Sequence, residues 1–449
     1  MSTLPIPSTD RVIVFGQALA GLGHLRVTDA LYHGLPKGTK AVLLGSQDKG
    51  LTLFHQFVSI HPMTRAIFEW AQYGWREDVF TVVYRGWIRS HTKLLEEQLQ
   101  TIFDRHPQRP KTLLAIATHM GLAHQFAAIK ESFSKKHNVR MIVVVVVTDD
   151  APIKIWAVGG ADMIFVPSQR TKQLLETYHQ SQAGLARAEY IVAPYMVHPA
   201  LGEPLSGEAY ETRRQQLDPS ANTTIHIAIP VSGAAVQMDF FEKYMRALED
   251  GESLGFARGK PRVRFHIVSK DMPSTTSFLG AMRQKSNVRV TSSSSDQEVV
   301  DAYQTLYAQE TIALELTKPS EQAFKALVDP KKRGGSILLL SDPVGRQESD
   351  NLNFLERHGL IPKHAGLKMQ WKFQQDAAPP DAGMLEDARH WRGLRLPSDP
   401  VGAAAFTLWC LRHGIFASML DFAGYADHPE LASDGVKVFW KMVEEHLSY

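Results

Sequence analysis

The run MIVVVVVTDD, Met141 to Asp150, restricts the fold more than any other stretch of the chain. MIVVVVV is far too short to cross a bilayer as a helix, which takes about 20 apolar residues. Its consecutive valines favour extended backbone, where a β-branched side chain packs well. A strand without a polar face must be covered on both sides, a condition that parallel sheets flanked by helices meet. Runs of the same kind recur as RVIVFG (Arg11 to Gly16), KAVLLGS (Lys40 to Ser46), TLLAIATH (Thr112 to His119), DMIFVPS (Asp162 to Ser168) and EYIVAPY (Glu189 to Tyr195). Amphipathic stretches such as HTKLLEEQLQTIFDRH and SQRTKQLLETYHQ separate them. This alternation predicts an α/β fold with helices on both faces of a parallel sheet.

The rhythm breaks between Pro199 and Asn222, where PALGEPLSG and DPSAN are rich in turn formers. It then restarts with TIHIAIPVSG, RVRFHIVSK, NVRVTS, TIALELTKP and SILLLSDPVG. A chain of 449 residues exceeds one ordinary core. Two Rossmann-like domains are therefore expected, 1–200 and 201–449, their parallel sheets facing each other across a cleft. Ligands would sit outside the carboxyl ends of the strands. Past Leu360 the pattern weakens to a loop, DAAPPDAG, and a helical run, VGAAAFTLWCLRHGIFASMLDF. A final amphipathic helix, GVKVFWKMVEEHL, completes a pair of terminal helical segments free to pack back on the first domain.

Composition narrows the function. A net charge of +2 lacks the basic excess of a dedicated nucleic-acid binder. The single cysteine, Cys410, excludes an intramolecular disulfide framework and a cysteine-based zinc site. No basic stretch followed by an apolar one opens the chain, so no signal peptide is read and a cytoplasmic location is expected.

Polar residues gather where the runs end. Gly16 to Leu31, GQALAGLGHLRVTDAL, puts Gly21, Gly23 and His24 between the first run and a helix. The glycines do not fit GxGxxG, and no acidic residue follows to hold a ribose, so a dinucleotide site is disfavoured. Close glycines suit a ligand approaching the backbone, although His24 also reads as a plain helix-start residue. Asp149 follows the valine run and is placed to accept a proton or to orient His24; an N-cap or turn role is the alternative. His119 and Lys270 end two further runs and are read as acceptor-binding and donor-binding residues. Ser232 and Gly233, before DFFEKYMRAL, offer amides and a helix terminus to a diphosphate. Lys318 would supply a cation to a departing phosphate. Gln347, Glu348 and Asn351 in GRQESDN are suited to sugar hydroxyls and phosphate; a solvated helix start is the plainer reading. The adjacent Asp149 and Asp150 lack DxD spacing, so no metal is expected.

These residues together resemble a GT-B glycosyltransferase of the group containing monogalactosyldiacylglycerol synthase and the lipid-II-forming N-acetylglucosaminyltransferase, a glycosyltransferase family 28-like pattern. GLGH is similar to that family's GGGH turn, and VTDDAPIKIWAVGGADMIFVPSQRTKQLL to its VTD…W…D…F.PS segment. ELTKPS is similar to its strand–TK–small-residue turn, and GRQESDNLNFL to its GQE..N motif. The resemblance spans about residues 11 to 360. It implies an inverting, metal-independent transfer of a hexose from a UDP-linked sugar to a hydroxyl, with no cofactor. His24 or Asp149 would be the base on the acceptor side. Lys318, Ser320, Glu321, Gln347, Glu348, Asn351 and the Ser232–Gly233 loop would hold the nucleotide-sugar donor. The family's ribose-binding glutamate is replaced by Lys325, so either Glu321 takes over that contact or the nucleotide preference differs.

The acceptor is read from Leu51 to Arg89, where Trp70, Trp75 and Trp87 alternate with Arg65, Arg76, Arg85 and Arg89. Tryptophan and arginine suit a membrane interface, and the resemblance implies a lipid or small hydrophobic acceptor with peripheral membrane contact. Core packing of the same aromatics is the alternative. Other functions on the same fold are a sugar-nucleotide epimerase or hydrolase, and a non-catalytic sugar-nucleotide-binding protein.

Overall fold

The computed structural model describes residues 10–17, 22–45, 74–106, 109–221, 223–231, 237–250, 262–375 and 378–448. Its chain divides into two compact units, Met1–His198 with Asp434–Tyr449, and Pro199–Ser433.

The first unit contains six strands: β1 (Arg11–Gln17), β2 (Ala41–Gly45), β3 (Thr112–Ala117), β4 (Arg140–Val146), β5 (Met163–Val166) and β6 (Glu189–Val192). They form one parallel sheet in the order β2-β1-β3-β4-β5-β6. The valine run is β4, and its residues from Met141 to Val146 are buried on both faces, as an all-apolar strand requires. Gly16 sits against the ring of Phe126, and a Cβ there would lie 2.5 Å from it. A glycine at this point lets the helix Met120–His137 press close to the sheet.

The helix Gly435–Leu447 belongs to this unit although it ends the chain. Its first residue abuts backbone, a Cβ on Gly435 falling 2.1 Å from the Pro194 carbonyl oxygen. Trp440 then donates its indole N–H to the Leu31 carbonyl at 3.0 Å, and Arg11 pairs with Glu444 at 2.8 Å.

In the second unit six more strands follow: β7 (Ile225–Pro230), β8 (Val263–Lys270), β9 (Val288–Ser293), β10 (Leu314–Thr317), β11 (Ile337–Leu340) and β12 (Gly393–Arg395). Their order is β12-β11-β10-β7-β8-β9, again all parallel. The two parallel sheets expected from the alternation of runs are both present. Read from β7, the second has the 3-2-1-4-5-6 arrangement of a Rossmann sheet.

Two details differ from expectation. The helical run near 400–422 is two helices, Pro400–Arg412 and Ile415–Leu420, because Gly414 between them adopts φ 74°. Both belong to the second unit, so the return to the first unit is made by the last helix alone. The three residues of β12 were not foreseen, being too few to show a period.

Polar groups also hold the second unit together. Arg213 is wholly buried and donates to the carbonyls of Ile312, Lys332 and Arg333 at 2.9, 2.8 and 2.8 Å. Glu315 on β10 is fully buried beside Lys325, whose ammonium donates to it and to Tyr307. Tyr303 adds a hydrogen bond to the same carboxylate at 2.7 Å. Burial and the Glu315 charge push the Tyr307 phenol well above its usual range, so it stays protonated and donates as well. No helix among the described residues is long and apolar enough to cross a membrane.

Candidate functional site

Strand order reverses between β1 and β3 in the first sheet and between β7 and β10 in the second. At such switch points the connections leave in opposite directions and open a crevice at the carboxyl ends of the strands. His24 and Lys318 lie beyond strands at these switch points, whereas Asp149 follows β4, Lys270 ends β8, and Gln347, Glu348 and Asn351 follow β11.

In the first unit His24 is the third residue of the helix Leu22–His33. Its Nδ1 lies 2.7 Å from the Thr118 carbonyl oxygen just past β3, so Nδ1 carries the proton and donates it. In the neutral ring the basic lone pair is then on Nε2. The backbone is clamped as well. The Thr118 and Thr28 hydroxyls, 2.8 Å apart, each reach the His24 carbonyl, at 3.2 and 3.0 Å. Thr148, past the end of β4, brings its hydroxyl to 3.4 Å from Nδ1. Thr28, Thr118 and Thr148 are buried and hold the imidazole in one orientation. Sequence reasoning missed all three, because threonine at a strand end (Thr118, Thr148) or within a helix (Thr28) carries no signal of its own.

The neighbouring candidates divide into different tasks. His119 is fully buried, its Nδ1 accepting the Gly121 N–H at 3.2 Å as the N-cap of Met120–His137. It packs edge-on to His24 with ring centroids 5.1 Å apart. Asp149 is half-buried at the turn after β4. Asp150 is wholly buried, accepting from the Ser168 and Thr171 hydroxyls at the start of the helix Gln169–Ser181. Of the acid pair, Asp150 is therefore structural. Gly23 lies inside the first turn of the His24 helix, whereas Gly21 falls outside the described residues.

His124, on the inward side of Met120–His137, is fully buried and shares a hydrogen bond with the Ile155 carbonyl at 2.8 Å. Desolvation lowers its pKa to about 3, against a backbone hydrogen bond that raises it. Between pH 6.5 and 3 the unfolded chain binds this proton and the folded chain does not, so stability falls as pH falls. The slope is about 1.4 kcal/mol per pH unit below 6.5 for this one group. Urea melts at pH 7 and pH 5 should show a smaller pH loss for His124→Gln than for the parent. Equal losses would mean that other groups carry the acid sensitivity.

The helix Trp75–Ser90 changes the reading of the aromatic segment. Trp75, Val79, Val82 and Val83 are more than half exposed, Trp75 at 73%, and Trp87 at 37% extends the same stripe. Spacing of four, three, one and four residues puts them on one helix face. Arg76 falls within the same face by position, half-buried, but Arg85 and Arg89 do not share it. Arg85 is buried and reaches the Tyr178 hydroxyl at 3.5 Å, and Arg89 donates to the Gly159 carbonyl at 3.1 Å. Burial and the nearby Arg85 charge lower the Arg89 pKa. The expected tryptophan–arginine patch is thus an apolar stripe with these two arginines on the inner side. Trp70 and Arg65 fall outside the described residues.

In the second unit the turn after β10 carries Lys318. Its ammonium pairs with Glu348, whose other oxygen accepts the Val344 N–H at 2.6 Å. Asn351 donates to the Pro319 carbonyl at 3.2 Å, so the helix Arg346–Arg357 clasps the Lys318 turn at two points. Gly345 begins that helix at φ 90°, a conformation in which glycine is at ease and other residues are strained. Gln347 lies half-buried in its first turn, and Ser320 and Glu321 are half-buried just beyond Lys318. Lys270 ends β8 and pairs with Asp296 at 2.8 Å, at the start of the helix Asp296–Gln309. Ser232 and Gly233, after β7, fall outside the described residues.

Lys325, read as replacing the resembled family's ribose-binding glutamate, is buried. It lies in the core with Glu315, on a short 3-10 segment, Glu321–Leu327. One residue that the sequence did not flag stands out here. Gln237 opens the helix Met238–Glu249 at φ 66°, a left-handed conformation uncommon outside glycine. Its amide is tied to the Ser341 hydroxyl at 2.7 Å and the Asp342 carbonyl at 3.0 Å, linking the end of β11 to the helix that follows β7.

No protein-family model matches this chain, and no curated protein matches it. Among solved structures it is similar to the catalytic domain of starch synthase IV from Arabidopsis thaliana bound to ADP and acarbose. That likeness has a TM-score of 0.43 and 10% identity over 98% of this chain and 100% of the other. It is also similar to the apo structure of OtsA, with a TM-score of 0.43 and 11% identity over 96% and 98% of the two chains. Similarity of this size does not fix a function.

Proposed function

We propose that the chain is a glycosyltransferase that moves a hexose from a nucleoside-diphosphate sugar, UDP-linked by preference, to a hydroxyl of a lipid or small hydrophobic acceptor. The observation that carries the reading is His24. It sits at a sheet switch point with Nδ1 protonated against the Thr118 carbonyl, which leaves Nε2 as the proton acceptor. As the acceptor oxygen attacks the anomeric carbon, Nε2 takes its proton and the nucleoside diphosphate leaves with inversion. Asp149 is the second candidate for that proton. Lys318 and the amides at the start of the helices Met238–Glu249 and Arg346–Arg357 would stabilise the negative charge growing on the leaving diphosphate. No metal is required in this scheme.

The Lys318–Glu348 pair gives the nucleotide step a measurable consequence. An arriving diphosphate draws Lys318 away from Glu348, so affinity depends on that lysine. At a hundred times its Kd, a ligand of the folded state adds about 2.7 kcal/mol of apparent stability. Thermal melts with UDP, GDP, TDP and their sugars should show one nucleotide raising Tm, and Lys318→Met should lose most of the rise. A flat response to every nucleotide would end the reading.

The apolar stripe Trp75, Val79, Val82, Val83 and Trp87 supports a hydrophobic acceptor and peripheral membrane contact. The departure at Lys325 from the resembled family's glutamate is matched by a core ion pair with Glu315.

A further inference from the structure

Three groups among the described residues bring histidine and carboxylate donor atoms within 4.8 Å of one another: Asp29, His33 and His198; His226, His266 and Glu310; and His358, His428 and Glu430. Their geometries differ. His358 Nε2 and Glu430 Oε2 are 2.8 Å apart, the distance of a direct hydrogen bond. Around Asp29 the two histidines address different oxygens, His33 at 3.3 Å from Oδ1 and His198 at 3.5 Å from Oδ2.

We propose that His226, His266 and Glu310 form a binding site for a divalent transition-metal ion, with zinc as the natural occupant. His226 Nδ1 lies 3.3 Å from His266 Nε2 and 3.5 Å from Glu310 Oε2. Two ligands at 2.0–2.1 Å from a tetrahedral zinc are separated by about 3.3 Å. Two of the three donor–donor separations thus already match the edge of a zinc tetrahedron, and all three donors lie within 4.8 Å of one another, on three separate elements.

The fold explains why they meet. In the parallel register of β7 and β8, Ala228 lies opposite His266 and His226 opposite Arg264. Both histidines therefore project to the same face of the sheet, opposite to Ile225, Ile227 and Ile229, which enter the core. Glu310 caps the end of the helix Asp296–Gln309, which packs over β8 and β9. The carboxylate is oriented from behind, its Oε1 taking Arg289 Nη1 at 3.3 Å. Gln216 fixes the His226 backbone, accepting its N–H at 2.8 Å.

The donor set selects the ion. Two imidazoles and one carboxylate suit zinc, whereas calcium and magnesium prefer all-oxygen shells. The His226 and Glu310 side chains are 19% and 25% exposed, which leaves room for water at the fourth position. His226 stands near the start of β7, roughly 13 Å along the strand from the turn proposed to meet the diphosphate. The ion would pin a helix to the sheet and stabilise the second unit, independently of nucleotide binding.

The test uses full-length protein freed of metal with a chelator and titrated with zinc chloride, read by calorimetry and by Tm. One equivalent should bind and raise Tm. His226→Asn and Glu310→Gln should each weaken that equivalent by about 100-fold or more and abolish the Tm rise. His33→Asn and His428→Asn should leave both unchanged. If His226→Asn fails to fold, Glu310→Gln, at a partly exposed helix end, decides the matter. Zinc binding unaltered in Glu310→Gln, or no zinc equivalent in the parent protein, would overturn the proposal.

Discussion

Glu315→Leu is expected to cost the protein about 3–5 kcal/mol, the penalty for leaving a buried charge without its partner. Lys325 is nearly inaccessible and its ammonium lies over the Tyr307 ring, 3.8 Å from the centroid. Tyr307 and Ser336, to which the ammonium also donates, are neutral. Without the carboxylate, the Lys325 charge is left in a desolvated core without its opposite charge from Glu315, which is unfavourable. The double variant Glu315→Leu/Lys325→Met should recover most of the loss, because a buried ion pair contributes little net stability over well-packed apolar residues. Urea denaturation of the two variants checks this. A single variant within 1 kcal/mol of the parent would show that the pair is not what this core depends on.

The other large effect concerns turnover. His24→Ala is expected to lower kcat for sugar transfer by about 10²–10⁴-fold, the range lost with a positioned general base. KM for the donor should change little, since the imidazole belongs to a different unit from Lys318. Thr118→Val should give a smaller loss. It keeps the carbonyl that receives Nδ1–H and removes only the hydroxyl clamp on the His24 backbone. Steady-state kinetics with the donor that shifts Tm would measure both. If His24→Ala retains a third or more of kcat, the base is elsewhere, and Asp149→Asn becomes the decisive variant.

Much of this architecture was legible because an all-apolar strand admits few environments. Runs such as MIVVVVV can be satisfied only by neighbours on both edges and cover on both faces, which leads to helix-flanked parallel sheets. The ends of those strands were legible too, since turn chemistry and polar residues cluster where the pattern stops. His24, Asp149 and Lys318 were singled out on that rule. It failed where burial decided a residue's part. Asp149 and Asp150 are identical letters, yet only Asp150 is wholly buried against a helix start. Lys325 and Lys318 are both lysines near one strand end, and one is in the core while the other lies at the turn.

Local pattern, then, determined the strands, their parallel arrangement and the turns where polar residues gather, because periodicity and turn propensity are properties of neighbouring residues. Only the tertiary structure decided strand order, hence which turns flank a switch point. It alone showed that Thr118, 94 residues from His24 along the chain, fixes the imidazole tautomer. It also returned the last helix to the first unit, through a Trp440 hydrogen bond spanning 409 residues. Such contacts leave no trace in local sequence, because their partners are chosen by the packing of distant elements and not by the residues beside them.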